Sequence, residues 1–233
     1  MNKTTRRKFL KKGIGLISGT WILLSPVFSG MKWVYGQAQK IILPKGTKRE
    51  TLIDKNPEEL DTTNLEVTPL KDFETMGTTD YKNNLETWQL ILDGKVQNKI
   101  QLRFKEITSL PAIERNVLLI CPGFFANHGH WKGISIATLL KKAGASNDVT
   151  HVVIRGEAGE DEKTYRFPIA DIISNKVFLA YQVNGQNLPE IHGYPLRVVA
   201  EGYYGYNWVK YVYRLTAEKE IGQEPAVRGL GSE

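Results

Sequence analysis

Cys121 is the single cysteine of this 233-residue chain, and its surroundings in the sequence suggest several chemical roles. It ends the apolar run NVLLIC (116–121), and His128 and His130 follow it with the spacing Cys-x6-His-x-His. A thiolate and two imidazoles could ligate zinc or copper, although this spacing matches no standard zinc pattern. A thiolate paired with a more distant histidine could act as a nucleophile. A small buried core residue is the remaining interpretation, because free cysteine is commonly buried.

A second group of candidate residues lies between residues 190 and 212, in EIHGYPLRVVAEGYYGYNWVKYV. It contains His192, Arg197 and Lys210, together with glycines at 193, 202 and 205. Arginine and lysine donate charge-assisted hydrogen bonds to phosphate groups, and glycines let a backbone approach a ligand closely. The segment is compatible with an anion-binding site, although an ordinary pair of strands with surface charges would have the same composition.

The basic charge of the chain is confined to its N-terminus. The net charge is +6, but residues 1–38 contain seven Lys and Arg and no acidic residue, so the remaining chain carries a net charge of −1. A nucleic-acid-binding surface would need a basic patch on the folded domain. The sequence therefore predicts no nucleic-acid partner.

Residues 1–38 have the layout of an export signal. The charged stretch TTRRKFLKK is followed by the moderately apolar stretch GIGLISGTWILLSPVF, which at about 16 residues is short for a membrane span of about 20. Arg6-Arg7 followed by Phe9-Leu10 resembles the twin-arginine signal, which exports folded proteins. We expect export by this route to a periplasmic or outer-face membrane location, with cleavage after Ala38 or an uncleaved anchor. A single cysteine cannot form an intramolecular disulfide, so disulfide formation does not explain Cys121.

The rest of the sequence predicts a polar arm followed by a β-rich domain. Residues 39–84 are polar and contain five turn-forming Pro and Gly residues, which indicates an extended arm. Strands are expected at 87–96 with a turn at Asp93-Gly94, and at 100–104, 116–121 (a central strand), 150–156, 164–167, 177–188, 195–202 and 208–218. Helices are expected at 104–111, 133–144 and 168–173. An exposed acidic loop is expected at 157–163, and the tail at 221–233 is expected to be loose. Short strands and few helices without a βαβ rhythm predict a mixed α+β fold, with its main domain at 85–220.

The order of several short motifs carries a resemblance to a known family. Cys121 is followed by W-x-G-x5-LL-x2-AG, then by LAY-x2-NG-x2-LP-x2-HG-x-PLRVV, and then by G-x2-G-x3-VK. In this order they resemble the molybdopterin-binding catalytic domain of the sulfite oxidase family, which also contains a periplasmic protein-methionine-sulfoxide reductase. The resemblance runs from about Trp88 to Leu215 and implies a molybdenum–molybdopterin (Mo-MPT) cofactor.

The resemblance also implies roles for individual residues. Cys121 falls where the family has its molybdenum-ligating cysteine, and a soft thiolate suits a metal already held by a dithiolene. The cofactor-binding residues that it implies are Cys121, His192, Arg197, Trp208, Val209 and Lys210. The loop around Thr78, Thr79 and Tyr81 lies where the family has another cofactor contact.

Other parts of the sequence depart from the family pattern. The reductases have Gly/Ala-Trp-Ser after the cysteine, whereas this chain has PGFF (122–125), and PGFFANHGHW is expected to shape the substrate entrance. His128 or His130 could relay protons there. Arg155 and Arg166 are the candidates for binding a sulfate-like anion.

The resemblance predicts an exported, monomeric oxidoreductase that performs two-electron oxo transfer at a mononuclear molybdenum. The substrate would be a sulfoxide, including a protein sulfoxide, an N-oxide or a sulfite-like molecule. A separate haem protein or cytochrome would exchange electrons with it. Three alternatives stay open: a protein that binds the cofactor without catalysis, a thiol-based redox or hydrolytic enzyme pairing Cys121 with His151 or His192, and a cofactor-free export or interaction module.

Overall fold

The computed structural model describes residues 40–160 and 162–219. The predicted signal segment (1–38) and the predicted tail (221–233) lie outside the described residues. The strands are β1 (Ile41–Ile42), β2 (Leu60–Asp61), β3 (Leu90–Gly94), β4 (Ile100–Leu102), β5 (Ala112–Cys121), β6 (Phe125–Ile134), β7 (His151–Gly156), β8 (Lys163–Pro168), β9 (Val177–Val183), β10 (Gln186–Asn187), β11 (Arg197–Ala200) and β12 (Val212–Glu218). The α-helices are α1 (Phe104–Thr108), α2 (Ile136–Ala143) and α3 (Ile169–Ile173), and the 3-10 helices are η1 (Arg49–Leu52), η2 (Pro57–Glu59), η3 (Leu70–Asp72), η4 (Glu190–His192) and η5 (Gly205–Asn207). Within these residues no helix is long and apolar enough to cross a bilayer.

Two five-stranded sheets organise the domain. In one sheet the order is β10-β9-β6-β5, with β11 also paired to β9. In the other the order is β4-β3-β12-β7-β8, with β12 and β3 parallel and the remaining pairs antiparallel. Side chains from both sheets and from the three α-helices share one hydrophobic core. The prediction of a mixed, strand-rich α+β fold is confirmed.

The strand ending at Cys121 belongs to a long hairpin that the sequence analysis missed in part. β5 pairs along its whole length with β6, from Ala112 opposite Ile134 to Cys121 opposite Phe125. The prediction that 116–121 is a central strand is wrong, because β5 lies at the edge of its sheet. The segment PGFFANHGHW, which was expected to shape the substrate entrance, is the strand β6 from Phe125 onward, and Phe125 is its member that lines the cavity described below.

The two faces of this hairpin pack against different parts of the chain. The inner face carries Val117, Leu119, Cys121, Phe125 and Trp131, which belong to the main core. The outer face carries Leu118, Ile120 and Ala126, which form a smaller core with leucines 43, 52, 60 and 65 of the arm. Strand alternation produces this division, because successive side chains point to opposite faces.

The helix predicted from 133 begins later than expected. β6 extends to Ile134, and the Ser135 side chain caps α2 by accepting a hydrogen bond from the Thr138 amide at 3.3 Å. The predicted end is confirmed, because Gly144 adopts φ 68° after the helix and Lys141 and Lys142 lie in its last turn.

Several other predicted elements are confirmed with changed bounds. Asp93-Gly94 does end a strand of an antiparallel pair, and α1 and α3 form where short helices were expected. Asn184 and Gly185, both with positive φ, turn β9 into β10. The strands predicted at 195–202 and 208–218 shorten to β11 and β12, which leaves residues 208–210 in a loop between them.

Candidate functional site

A cavity of about 190 Å³ opens beside the carboxyl ends of β5 and β7. Several parts of the chain meet there: the arm at residues 74–77, the ends of the two strands, the first residues of β8 and β11, and the loop before β12. The side chains and backbone that line the cavity belong to Glu74, Thr75, Met76, Gly77, Leu119, Cys121, Phe125, Glu157, Lys163, Thr164, Arg197, Gly205, Tyr206, Trp208, Val209 and Lys210. Five of the six predicted cofactor-binding residues are therefore on its wall.

Cys121 lies on this wall at the end of β5, with 8% of its surface exposed. Its Sγ atom lies 3.8 Å from the Sδ atom of Met76, which is half exposed. Burial raises the pKa of the Cys121 thiol. A reactive nucleophilic cysteine needs a lowered pKa and a basic partner, whereas a bound metal ion removes the proton by its own charge. The surroundings of this thiol suit a metal ligand better than a nucleophile.

Arg197 is a deeply buried cation of the site. It begins β11, is 5% exposed, and burial lowers its pKa to about 10. Its Nη1 donates to the His192 carbonyl at 3.1 Å and its Nε to the Val198 carbonyl at 3.4 Å. The guanidinium carbon also lies 5.2 Å from the ring centre of Trp131 and 5.6 Å from that of Trp208. Carbonyl groups and indole rings thus surround a cation that has no ion pair among the described residues.

Lys210 is a second buried cation, and its ammonium group joins the arm to the site. Its Nζ donates to the carbonyl of Thr78 and, at 3.3 Å, to that of Ile191, while the Tyr211 hydroxyl donates to the same Thr78 carbonyl at 3.2 Å. Burial and the charge of Arg197 lower the pKa of Lys210 to about 8. Gly156 makes room for this residue, because a Cβ atom on it would lie 1.9 Å from the Lys210 carbonyl oxygen. The predicted loop at 78–81 therefore contacts the site through Thr78.

His192 lies close behind Arg197 and does not carry a charge at neutral pH. It is 3% exposed, and its ring meets that of Phe73 edge-on at 5.8 Å. Burial, Arg197 and Lys210 together lower its pKa to about 4. Its backbone carbonyl accepts from Arg197, but His192 itself is the one predicted cofactor-binding residue that does not line the cavity.

Glu157 is a site residue that the sequence analysis missed. The acidic loop 157–163 was expected to be exposed, but Glu157 is 3% exposed and lines the cavity. Its Oε2 accepts a hydrogen bond from the Thr78 hydroxyl at 2.8 Å. Its backbone has φ 56° and that of Tyr211 φ 52°, values that carry strain for residues with a side chain. Nothing in the sequence of this acidic loop distinguishes its first residue from the exposed ones that follow.

His128 and His130 lie on the outer face of the hairpin and not at the cavity. His128 is opposite Leu118, fully buried, with Nδ1 3.2 Å from the Glu66 carbonyl oxygen. His130 is exposed, with Nδ1 2.7 Å from Asn116 and Nε2 3.2 Å from Glu114. Within residues 40–160 and 162–219 no three His, Cys, Asp or Glu side chains converge as a metal site. The alternatives of a Cys-x6-His-x-His metal site and of a proton relay at the entrance are therefore wrong.

The two arginines considered for a substrate anion also lie away from the cavity wall. Arg155 donates to the Thr216 hydroxyl at 2.9 Å and faces Glu162 at 3.6 Å. Arg166 lies 3.8 Å from Glu218. Neither is among the residues that line the cavity, so the prediction that they bind a sulfate-like anion there is not supported by the geometry.

Comparison with known sequences identifies the protein family to which this chain belongs. Residues 76–225, more than half of the chain, match the sequence model of the family described as "Oxidoreductase molybdopterin binding domain". The chain belongs to this family. It is therefore a molybdopterin-dependent oxidoreductase whose cofactor is Mo-MPT.

Three relatives show the range of this molybdopterin-binding family. The uncharacterized oxidoreductase YuiH of Bacillus subtilis is 27% identical, with the alignment covering 62% of this chain and 72% of YuiH. The protein-methionine-sulfoxide reductase catalytic subunit MsrP of Gluconobacter oxydans is 27% identical over 55% of this chain and 46% of MsrP. The mitochondrial sulfite oxidase of Mus musculus is 34% identical over 39% of this chain and 18% of that enzyme. The chain thus spans less than half of the length of these last two relatives.

A solved structure shares the fold of this molybdopterin-binding domain. The sulfane dehydrogenase SoxCD from Paracoccus pantotrophus superposes with a TM-score of 0.61 at 21% identity. The superposition covers 80% of this chain and 54% of that one. The likeness supports the fold class inferred from the sheets.

The residues of the cavity fit the cofactor of the family. Mo-MPT is anionic because it carries a phosphate, and on the cavity wall two buried cations, Arg197 and Lys210, outnumber the one buried carboxylate, Glu157. Buried charges are normally paired, so this arrangement suits an anionic ligand. A soft thiolate donor, Cys121, lies on the same cavity wall. Together, the donor atom and the two cations match what the cofactor needs.

Proposed function

We propose that this protein performs two-electron oxo transfer at a molybdenum ion ligated by Cys121. The observation that carries the proposal is the joint placement of a buried thiol and of two buried cations, against a single buried carboxylate (Glu157), around one cavity. When bound, the cofactor supplies the redox chemistry of oxygen-atom transfer. The protein supplies the ligand, the orientation and the exclusion of water.

Each predicted site residue has a distinct part in this proposal. Cys121 would hold the metal through its sulfur, while Arg197 and Lys210 would bind the anionic group of the cofactor by charge-assisted hydrogen bonds. His192 would offer a neutral imidazole, since its pKa of about 4 keeps it unprotonated at neutral pH. Trp208 and Val209 would pack against the cofactor from the loop that also presents Lys210.

The entrance to the cavity supports an uncharged part of the substrate. Met76, Phe125 and Tyr206 are apolar or aromatic members of the cavity lining, which also includes Glu74 and Lys163, and Tyr206 is 70% exposed. Sulfoxides and N-oxides, free or on a protein, and sulfite are the substrate classes to compare. The direction of transfer follows from which of them is turned over.

We further propose that the protein is an exported monomer that exchanges electrons with a separate haem protein or cytochrome. The support for export is the basic and apolar segment at 1–38 with its Arg6-Arg7 pair, which predicts twin-arginine export to a periplasmic or outer-face location. The support for a separate electron partner is that the MsrP relative is named a catalytic subunit. We also propose the domain division of the sequence analysis, with the arm at 39–84, the catalytic domain at 85–220 and the tail at 221–233.

The test of the proposal is metal analysis and dye-linked turnover of the full chain produced in cells that make the cofactor. We expect about one molybdenum per chain, its loss in Cys121→Ser, and oxidation of a reduced viologen dye by a sulfoxide or N-oxide, or dye reduction by sulfite. A metal-free protein with an alkylatable thiol would contradict the proposal and favour a thiol enzyme. Bound molybdenum without turnover of any of these substrates would favour a protein that only binds the cofactor.

A further inference from the structure

Trp131 lies beside the site without reaching the cavity. It belongs to β6, is fully buried, and its indole Nε1 donates to the Val117 carbonyl at 3.1 Å. That hydrogen bond fixes the plane of the ring. Trp131 does not line the cavity, so direct contact with a ligand does not explain its position.

The face of this fixed ring is directed at Arg197. The guanidinium carbon lies 5.2 Å from the Trp131 ring centre and 5.6 Å from that of Trp208, and the two rings meet at 64° with centres 5.7 Å apart. A cation within about 6 Å of an indole face is attracted by the negative charge density of the ring, most strongly where water is excluded. The two indoles therefore form an aromatic box around Arg197.

The hydrogen bonds of Arg197 do not fix the orientation of its guanidinium by themselves. Only backbone carbonyls accept from it, at 3.1 Å and 3.4 Å, and among the described residues no carboxylate pairs with it. A guanidinium held by only these two hydrogen bonds could still tilt. The ring faces restrict that tilt while leaving the cavity side of the guanidinium open to a ligand.

We infer that Trp131 is a positioning residue, which holds the Arg197 guanidinium in the orientation that meets the anionic group of the cofactor. The inference rests on the proposed role of Arg197 in cofactor binding. It goes beyond that role because Trp131 would act only through Arg197, from a strand on which the other candidate residues, His128 and His130, face away from the site.

Two pairs of variants separate positioning from core packing. Trp131→Phe and Trp131→Met both lose the indole N–H and some volume, but only the methionine lacks an aromatic face. Trp88→Phe and Trp88→Met are the matched controls, because Trp88 is also buried but packs against Phe104 at a ring distance of 6.4 Å. The melting temperatures of the four proteins report the packing cost in each pair.

The direct readout is the Nε–Hε NMR correlation of Arg197 in arginine-labelled protein, assigned by its disappearance in Arg197→Lys. We expect an upfield ring-current shift in the wild type that Trp131→Phe reduces less than Trp131→Met does, since Trp131→Met leaves only the contribution of the Trp208 ring. In the holoenzyme, release of molybdenum should be about fivefold to tenfold faster in Trp131→Met and within about twofold of wild type in Trp131→Phe. An unchanged Arg197 correlation and unchanged release in Trp131→Met, or equal release from Trp131→Met and Trp88→Met, would overturn the inference.

Two further results keep this test decisive. If Trp131→Met does not fold, fluorinated tryptophan incorporated at all five positions weakens the ring faces with little change in volume, and unchanged molybdenum release would then overturn the inference. A wild-type protein that never contains molybdenum would contradict the proposed function. The Arg197 correlation would still show whether Trp131 restrains the guanidinium.

Discussion

On the inner face of the β5–β6 hairpin, Cys121 meets the cavity and Trp131 meets the buried Arg197, whereas on the outer face His128 and Leu118 pack beneath the arm. The same twenty or so residues therefore contribute both to the candidate site and to the packing contact between the hairpin and the arm. The sequence distance between Cys121 and His128 suggests a shared site, but the alternation of side chains along strands puts them on opposite faces. Spacing is informative about a site only when the element that carries it is known.

The charge balance of the two faces differs as well. The inner face borders two buried cations and only one buried carboxylate, Glu157, whereas the outer face buries a single neutral histidine whose pKa is lowered by burial. Unbalanced buried charge costs stability and is retained where a ligand compensates it. We therefore expect variants of the inner face to change cofactor content and variants of the outer face to change only stability.

The largest expected effect comes from Arg197→Met. Removing a cation that would bind the cofactor should lower the molybdenum content of purified protein by more than about tenfold, since a charge-assisted hydrogen bond and a cation are lost together. The cofactor-free protein should melt at the same or a higher temperature, because a desolvated charge is replaced by an apolar side chain.

Arg155→Met is the matched control for Arg197→Met. Arg155 lies on the other sheet, beside Thr216 and Glu162, and its loss should leave molybdenum content unchanged. Retention of molybdenum in Arg197→Met, or an equal loss of molybdenum in both variants, would contradict a specific role of Arg197 in binding the cofactor.

Gly156→Ala should disturb the inner site by steric contact. The new Cβ would lie 1.9 Å from the Lys210 carbonyl oxygen and 2.7 Å from Val209, so the loop carrying Lys210 must shift. Overpacking of this kind costs about 1–3 kcal/mol, and the shift should also reduce molybdenum content.

Gly133→Ala provides the comparison for Gly156→Ala. Its Cβ would meet the Leu179 carbonyl oxygen at 1.8 Å, which is an equally severe contact between β6 and β9. We expect a similar loss in the free energy of unfolding, measured by urea denaturation, but a normal molybdenum content in the protein that folds. If both variants lose molybdenum in proportion to their loss of stability, Gly156 has no specific link to the site.

His128→Leu tests the outer face through the pH dependence of the free energy of unfolding. Burial lowers the pKa of His128, so the unfolded chain takes up a proton near its ordinary value of about 6.5 before the folded chain does. The stability that the neutral histidine contributes is present above pH 6.5 and is lost as the pH falls below it. Between pH 7.5 and 5.5 the free energy of unfolding of the wild type should therefore fall more steeply than that of His128→Leu.

Urea titrations of both proteins at the two pH values provide the measurement, and molybdenum content should be the same in both. An identical pH dependence would mean that His128 does not titrate differently in the two states. A loss of molybdenum would link the outer face to the site and contradict the comparison.

The smallest effect is expected for His130→Gln. His130 lies in an exposed cluster with Asn116 and Glu114, and exposed pairs of this kind contribute about 1 kcal/mol or less. Thermal unfolding should change little and molybdenum content not at all. A large loss of dye-linked activity in this variant would restore a proton-relay role that the geometry does not support.

Parts of this site could be predicted because their signals are local. Cys121 at the end of an apolar run, and the HGYPLR segment with its glycine, can be recognised without knowing the fold. The end of α2 at Gly144 can also be recognised without knowing the fold, since a glycine after basic residues ends a helix by local geometry. Such features depend on a few neighbouring residues.

The parts that could not be predicted depend on distant contacts. β6 has glycines and histidines where strands usually alternate apolar and polar residues, because the arm buries its outer face as well as the core burying its inner one. The leucines of the arm that do so come from separate short elements and loops and therefore show no periodicity. Glu157 is buried for a similar reason, because the Thr78 segment of the arm folds over it.

The most direct test of the central claim is X-ray absorption at the molybdenum edge, comparing wild-type protein with Cys121→Ser produced in the same cells. If Cys121 ligates the metal, any molybdenum retained by the variant should have one sulfur neighbour fewer than in the wild type, with an oxygen in its place. An unchanged number of sulfur neighbours in the variant would contradict the account, because the thiol at the end of β5 would then not be a ligand.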